Sequence, residues 1–219
     1  MNGNTKEAVG KNYVLQSMQT ARDRTWEVIE KVAAHIQPGM LESEATAYCK
    51  TVLTELGMDR IWHPVLVRFG ANTLKMFNER SDGDPRLGDN DIFFLDLGVV
   101  WDGHEGDSGA TFVVGNDDAM KQCAAAAKTV FDAVERQWRT TAMGGRELYD
   151  FAERCASDLG WKLNLDIKGH RVSDFPHAIY RAGDLGDFAD YPNPGLWILE
   201  VQIAHPSLPY GAFYEDLLV

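Results

Sequence analysis

The chain has 219 residues, 45% hydrophobic and 25% charged, which is the composition of a globular protein long enough to bury a substantial core. With 21 basic against 33 acidic residues it carries a formal charge of -12, which opposes contact with a phosphate backbone and excludes nucleic acid as an expected partner. No run approaches the roughly 18 uninterrupted apolar residues of a membrane span, and "MNGNTKEAVG" lacks the apolar centre of a secretion signal, so a cytoplasmic location without a membrane partner is expected.

The first helical pattern covers residues 9–36, with Val14, Met18, Ala21, Trp26 and Ile29 at near-helical spacing until Pro38-Gly39 stops it. Glu42 or Ser43 opens a second helix that ends at Gly57. The β-branched and aromatic run "IWHPVLVRFG", residues 61–70, predicts one strand. The polar stretch that follows predicts an exposed loop able to cover a site. Residues 91–115, "DIFFLDLGVVWDGHEGDSGATFVVG", predict a hairpin turning near Trp101-Asp102. Two helices are expected over 117–141 and 145–159, then a loop-rich stretch and a closing strand pair, "LWILEVQIA" and "FYEDLLV". Helices and hairpins in blocks imply an α+β fold in one domain over residues 1–219, with a curved antiparallel sheet covered by helices. Cys49, Cys123 and Cys155 are odd in number and lack metal-type spacing, which predicts reduced, buried or half-buried thiols.

Both strand pairs carry acids. About a turn at Trp101-Asp102, Asp96 and Asp107 are equidistant and expected to face each other; Glu200 and Glu215 are symmetric about the 206–209 turn. Directly opposed residues have Cβ atoms about 5 Å apart, where like charges destabilise the pair. Solvated strand acids or edge charges are the plain alternative. That alternative fits poorly, because Asp96 lies between "FFL" and "LGVV", and Glu200 between "WIL" and "V". An unpaired ionised carboxylate there costs several kcal/mol, whereas two divalent cations would neutralise four carboxylates. A nitrogen ligand is available from "IKGHRVSDFPH", which contains His170 and His177.

The order Asp96, Asp107, His170, His177, Glu200, Glu215 resembles the pita-bread metallopeptidases, the family of methionine aminopeptidase, prolidase, aminopeptidase P and creatinase. "IQPGMLESE" is similar to that family's helix-end motif, "LDLGVVWDGHEGDSGATFVVG" to its aspartate hairpin and "YEDLLV" to its closing strand. The resemblance covers nearly the whole chain and implies a pita-bread fold. It makes Asp96, Asp107, His170, Glu200 and Glu215 metal ligands, with Asp107 and Glu215 bridging two divalent ions and His177 touching substrate. The implied reaction is metal-assisted attack of water on the amide of a short peptide or small amino-acid derivative, with Glu200 shuttling protons. Hard oxygen donors with a single imidazole suit manganese or iron, with cobalt and zinc as alternatives.

The pattern departs from the family in places. The histidine normally on the loop before the aspartate hairpin is replaced by Phe77, Asn78 and Glu79, and His63 on the preceding strand is a candidate to reach the site instead. Ala110-Thr111-Phe112 stands where the family has Arg-Thr-Phe, and Val201 where a proline commonly follows the first glutamate. The amino-terminal domain of prolidase and aminopeptidase P has no counterpart in the sequence. These departures point away from a standard aminopeptidase. Two alternatives stand beside the hydrolase: a non-haem diiron oxidase or oxygenase with the same ligands, and a non-catalytic peptide-binding member. Substrate, metal and oligomeric state, a homodimer among the options, stay open.

Several other residues have a plain reading and a functional one. His104 and Glu105 read as solvated turn residues, with support of the metal site as the alternative, and His205 reads as a turn residue. Arg171 and Arg181 are candidates to meet a substrate carboxylate. Trp62, Phe77, Phe175 and Tyr180 line either a substrate pocket or the core.

Overall fold

The computed structural model describes residues 5–177 and 183–219. Four helices, α1 (Leu15–His35), α2 (Glu42–Glu55), α3 (Asp118–Thr140) and α4 (Gly145–Asp158), accompany eight strands. The strands are β1 (Arg60–Ile61), β2 (Leu66–Phe69), β3 (Asp91–Trp101), β4 (His104–Val114), β5 (Lys162–Leu163), β6 (His170–Arg171), β7 (Trp197–Ala204) and β8 (Gly211–Leu217). They form one sheet in the order β1-β3-β4-β8-β7-β5, with β2 also pairing β3 and β6 pairing β7, and every pairing is antiparallel. This is the expected α+β class with a curved antiparallel sheet under helices. No helix among the described residues is long and apolar enough to cross a membrane.

Strand alternation divides the sheet into two faces. Leu95, Leu97, Val99 and Trp101 of β3 pack with Ala21, Val28, Ile29 and Val32 of α1. Leu199, Val201 and Ile203 of β7 pack with Ala127, Val130 and Val134 of α3. Tyr214 lies at the seam, its ring centroid 5.7 Å from Trp26 of α1 and 4.8 Å from Phe131 of α3. Each fully buried Leu, Ile or Val side chain among these stabilises the fold by about 1.5–3 kcal/mol. The other face carries Phe94, Asp96 and Gly98 from β3, Asp107 and Gly109 from β4, Glu200 from β7 and Phe213 and Glu215 from β8.

Three expectations need correction. Helix α1 begins at Leu15, because the residues before it form a 3-10 turn at Thr5–Glu7 and irregular backbone held by other parts of the chain. There the Gly10 and Asn12 amides donate to Asp174 at 2.7 and 3.1 Å, and the Val14 amide donates to His104 Nε2 at 3.1 Å. The strand expected over 61–70 is broken between Ile61 and Leu66, where Pro64 has no amide hydrogen for a ladder.

The third correction concerns register. Asp102 and Gly103 both adopt positive φ, 48° and 70°, giving the two-residue Asp-Gly turn that suits hairpin twist. That turn pairs Trp101 with His104, so Asp96 faces Gly109 and Asp107 faces Gly98, and the two aspartates are diagonal neighbours on one face. Glu200 and Glu215 do face each other, as expected. The three cysteines are free, Cys49 and Cys123 buried and Cys155 half-buried.

Candidate metal centre

The acid-bearing face of the sheet forms the floor of a cavity of about 270 Å³, which is bordered by Asp96, Asp107, His170, His177, Glu200 and Glu215 together with Trp62, His63 and Phe77. All six positions singled out by the sequence therefore converge on one cleft. Gly109 lies between Asp96 and Glu215 in the register, and a Cβ there would stand 3.0 Å from Glu215 Oε1, so its missing side chain leaves the carboxyls room to approach. His170 enters from β6, with Nε2 2.9 Å from Asp107 Oδ2 and Nδ1 3.1 Å from the Arg171 carbonyl.

His63 is the addition that the sequence only partly disclosed. Its Nε2 lies 3.1 Å from Asp107 Oδ1 and 3.4 Å from Asp96 Oδ1, and its Nδ1 lies 2.9 Å from the Pro64 carbonyl. The chain leaves the sheet at this point, and the imidazole rests over Gly98, where a Cβ would overlap the ring. Two triads, His63–Asp96–Asp107 and Asp107–His170–Glu215, each bring one donor atom per residue within 4.8 Å of the others, sharing Asp107.

The electrostatics are those of a concentrated, desolvated charge cluster. Burial raises the Asp96 and Glu215 carboxyls, Glu215 well above its usual range, and the two share a hydrogen bond. Burial likewise pushes Glu200 up to about 7, opposed by His170 and reinforced by Asp107 and Asp96. Asp107 is the exception: burial would raise it, but His63 and His170 on either side bring it to about 2. Burial would lower both imidazoles, yet Asp107 and Asp96 raise His63 to about 9, and Asp107 with Glu200 raises His170 to about 10.

Glu105 is a second residue that the sequence misjudged. It is 1% exposed, accepts the Ser173 and His177 amides at 3.1 and 3.0 Å, and holds His177 Nδ1 at 2.7 Å from its Oε2. Its neighbour His104 is also buried, against the backbone of Val14, so neither is a solvated turn residue. Trp62 stands edge-on to His63, His170 and His177, with centroids 4.6, 5.6 and 5.0 Å away.

Arg171 does not serve the cleft. Next to His170 on β6 it points the opposite way, 2% exposed, and donates to the carbonyls of Lys6, Ala8, Val172 and Leu196. Phe175 packs under the Arg60 guanidinium, 4.8 Å from it, and is not part of the cavity wall. His205 is a turn residue, its Nδ1 accepting the Ser207 and Leu208 amides at 3.1 and 2.9 Å. Tyr180 and Arg181 lie outside the described residues.

Phe77 stands at the cavity rim, 63% exposed, on the loop that follows β2. The loop is anchored by Glu42 at the start of α2, whose Oε2 accepts the Phe69 amide at 2.7 Å and Asn72 Nδ2 at 3.1 Å while Ser81 Oγ donates to Oε1.

An antiparallel sheet under helices, with two acid-bearing strand pairs and a histidine converging on one cleft, defines a pita-bread metallopeptidase framework. Residues 16–191 match metallopeptidase family M24, and the chain belongs to that family. Solved structures of similar fold include a prolidase from Thermococcus sibiricus, 18% identical with a TM-score of 0.77, covering 97% of this chain and 58% of that one. The X-Pro aminopeptidase from Thermotoga maritima is 17% identical with a TM-score of 0.73, covering 92% and 56%. A dipeptidase from Mycobacterium ulcerans is 20% identical with a TM-score of 0.71, covering 93% and 54%. The chain thus spans little more than half the length of these proteins. A comparison with curated proteins found no match.

Proposed function

We propose that the chain is a dinuclear metal-dependent hydrolase acting on a short peptide or small amino-acid-derived amide, with Asp96, Asp107, His170, Glu200 and Glu215 as ligands. One observation carries the reading. Glu215 Oε1 is buried with no hydrogen-bond partner among the described residues, inside a cluster of four carboxylates with Asp96, Asp107 and Glu200. Buried carboxylate oxygens left so are costly unless a cation meets them. The donor set, oxygen-rich with imidazole, suits a divalent transition ion. When bound, such ions supply a Lewis acid for the amide carbonyl and activate water.

The chain's own residues would do the rest. Glu200, whose carboxylate borders the cleft beside the other acids, would accept a proton and return it to the leaving nitrogen. His177, fixed through Nδ1 by Glu105, presents its Nε2 to the substrate. Trp62, Leu66 and Ile167 give the cleft an apolar wall for one substrate side chain. Phe77 at the rim replaces a polar contact with an apolar one, which fits a substrate other than that of a standard aminopeptidase.

The test is a panel of dipeptides and small amides incubated with the manganese-, iron-, cobalt- or zinc-loaded protein. Product release that falls at least about a thousandfold in Asp107→Ala, on the scale of losing a catalytic metal or a principal electrostatic group, would support the proposal. Two bound irons with oxygen uptake and no hydrolysis across the panel would replace it with the oxidative reading.

A further inference from the structure

We infer that His63 is a sixth protein ligand of the centre, giving each of the two ions one imidazole on opposite sides of Asp107. This rests on the dinuclear reading above and extends its ligand set from one nitrogen donor to two.

The two histidines are arranged alike although they come from different parts of the chain. Each directs Nδ1 at the carbonyl of the next residue, Pro64 at 2.9 Å and Arg171 at 3.1 Å. A carbonyl only accepts, so Nδ1 of each ring is the protonated nitrogen and donates to it. That hydrogen bond is the usual way a ligating imidazole is oriented, leaving Nε2 to face the metal. Each Nε2 then addresses one oxygen of the same carboxylate: His63 lies 3.1 Å from Asp107 Oδ1 and His170 2.9 Å from Asp107 Oδ2.

The surroundings are shaped for this placement of His63. Pro64 interrupts the strand expected to continue from Ile61, and Gly98, directly opposite Asp107, leaves the space that the imidazole fills. Asp96 completes the triad at 3.4 Å from Nε2. Asp107, 1% exposed, would then bridge two chemically similar half-sites, His63 with Asp96 on one side and His170 with Glu215 on the other. The loop histidine that the sequence lacks at Phe77 is thus matched by a nitrogen reaching the cleft from the segment between β1 and β2. A second imidazole moves the preference of the site from manganese toward cobalt, iron and zinc.

The alternative is that His63 is a cationic partner of Asp96 and Asp107 which ions must displace. The two roles predict opposite signs. The 219-residue chain, stripped with chelator and titrated with Co²⁺, would be compared with His63→Ala and His63→Asn by equilibrium dialysis, metal analysis and visible absorption. A ligand role predicts two Co²⁺ per intact chain, at least a tenfold weakening of one of them in both variants and an altered d–d band. The Co²⁺-over-Mn²⁺ preference should also narrow. Unchanged or tighter binding of two ions with an unchanged spectrum would overturn the inference while leaving the dinuclear reading standing. Failure of the intact chain to take up Co²⁺ would overturn both. Far-UV circular dichroism of the metal-free variants separates lost ligation from lost folding, and His63→Asn, whose amide nitrogen can take the place of Nδ1 toward the Pro64 carbonyl while lacking Nε2, serves if His63→Ala does not fold.

Discussion

The two faces of strand β3 are built from alternate residues of the same eleven-residue segment and obey different rules. Leu95, Leu97 and Val99 meet helices and are fully buried among aliphatic neighbours, where burial of each is favourable by itself. Phe94, Asp96 and Gly98 meet the cleft. There Asp96 is buried against other carboxylates, and Gly98 serves by having no side chain. Apolar packing therefore dominates one side of the sheet and the proposed chemistry the other, where the clustered carboxyls are costly to bury until countercharge arrives.

Substitutions on each side should break this contrast in different directions. Leu95→Ala should cost about 2–5 kcal/mol in chemical denaturation through cavity formation, with metal stoichiometry unchanged; loss of metal at retained fold would show that the faces are coupled. Glu215→Gln should do the reverse. It removes a carboxyl held well above its usual range by burial and by Asp107 and Asp96, so the metal-free protein should gain about 1 kcal/mol in the same measurement while bound metal falls below two ions per chain. A destabilised metal-free variant would mean that the carboxylate is structural. Phe77→Ala, at an exposed rim position, should change stability by no more than about 0.5 kcal/mol and metal content not at all. Its effect should appear as a several-fold change in KM for the best substrate of the panel, and a change in kcat alone would place Phe77 in the chemistry instead.

The contrast also explains what could be read from the sequence. Acids embedded in apolar strand runs contradict their surroundings, and that contradiction exposed Asp96, Glu200 and the facing pair Glu200–Glu215 without any structure. The register of the first hairpin was legible in principle, since Asp102-Gly103 is the strongest short hairpin signal in the segment. Centring the turn one residue early made diagonal neighbours of β3 and β4 look opposed. His63 was legible only as a substitute for the absent loop histidine, because a proline inside a β-branched run reads as a blemish in one strand, whereas here it ends the ladder and releases the imidazole. Glu105 was hidden because an acid beside a turn reads as solvated; only the return of the 173–177 segment over the hairpin buries it. Arg171 shows the converse error: proximity in sequence to His170 said nothing about the side of β6 on which its guanidinium lies.

Glu42 deserves a final consequence. Its carboxylate clasps both Phe69 and the 72–81 segment from the first turn of α2, while Gln202 of β7 donates to the Thr73 and Lys75 carbonyls and the Gly211 amide of β8 donates to Thr73 Oγ1, so the rim bearing Phe77 is tethered both to a helix and to the strands that bear Glu200 and Glu215. The wall that a substrate meets and the floor where it would react thus share two strands as supports. A change at Gln202 or Thr73 would therefore be felt at the entrance and at the acid-bearing floor together.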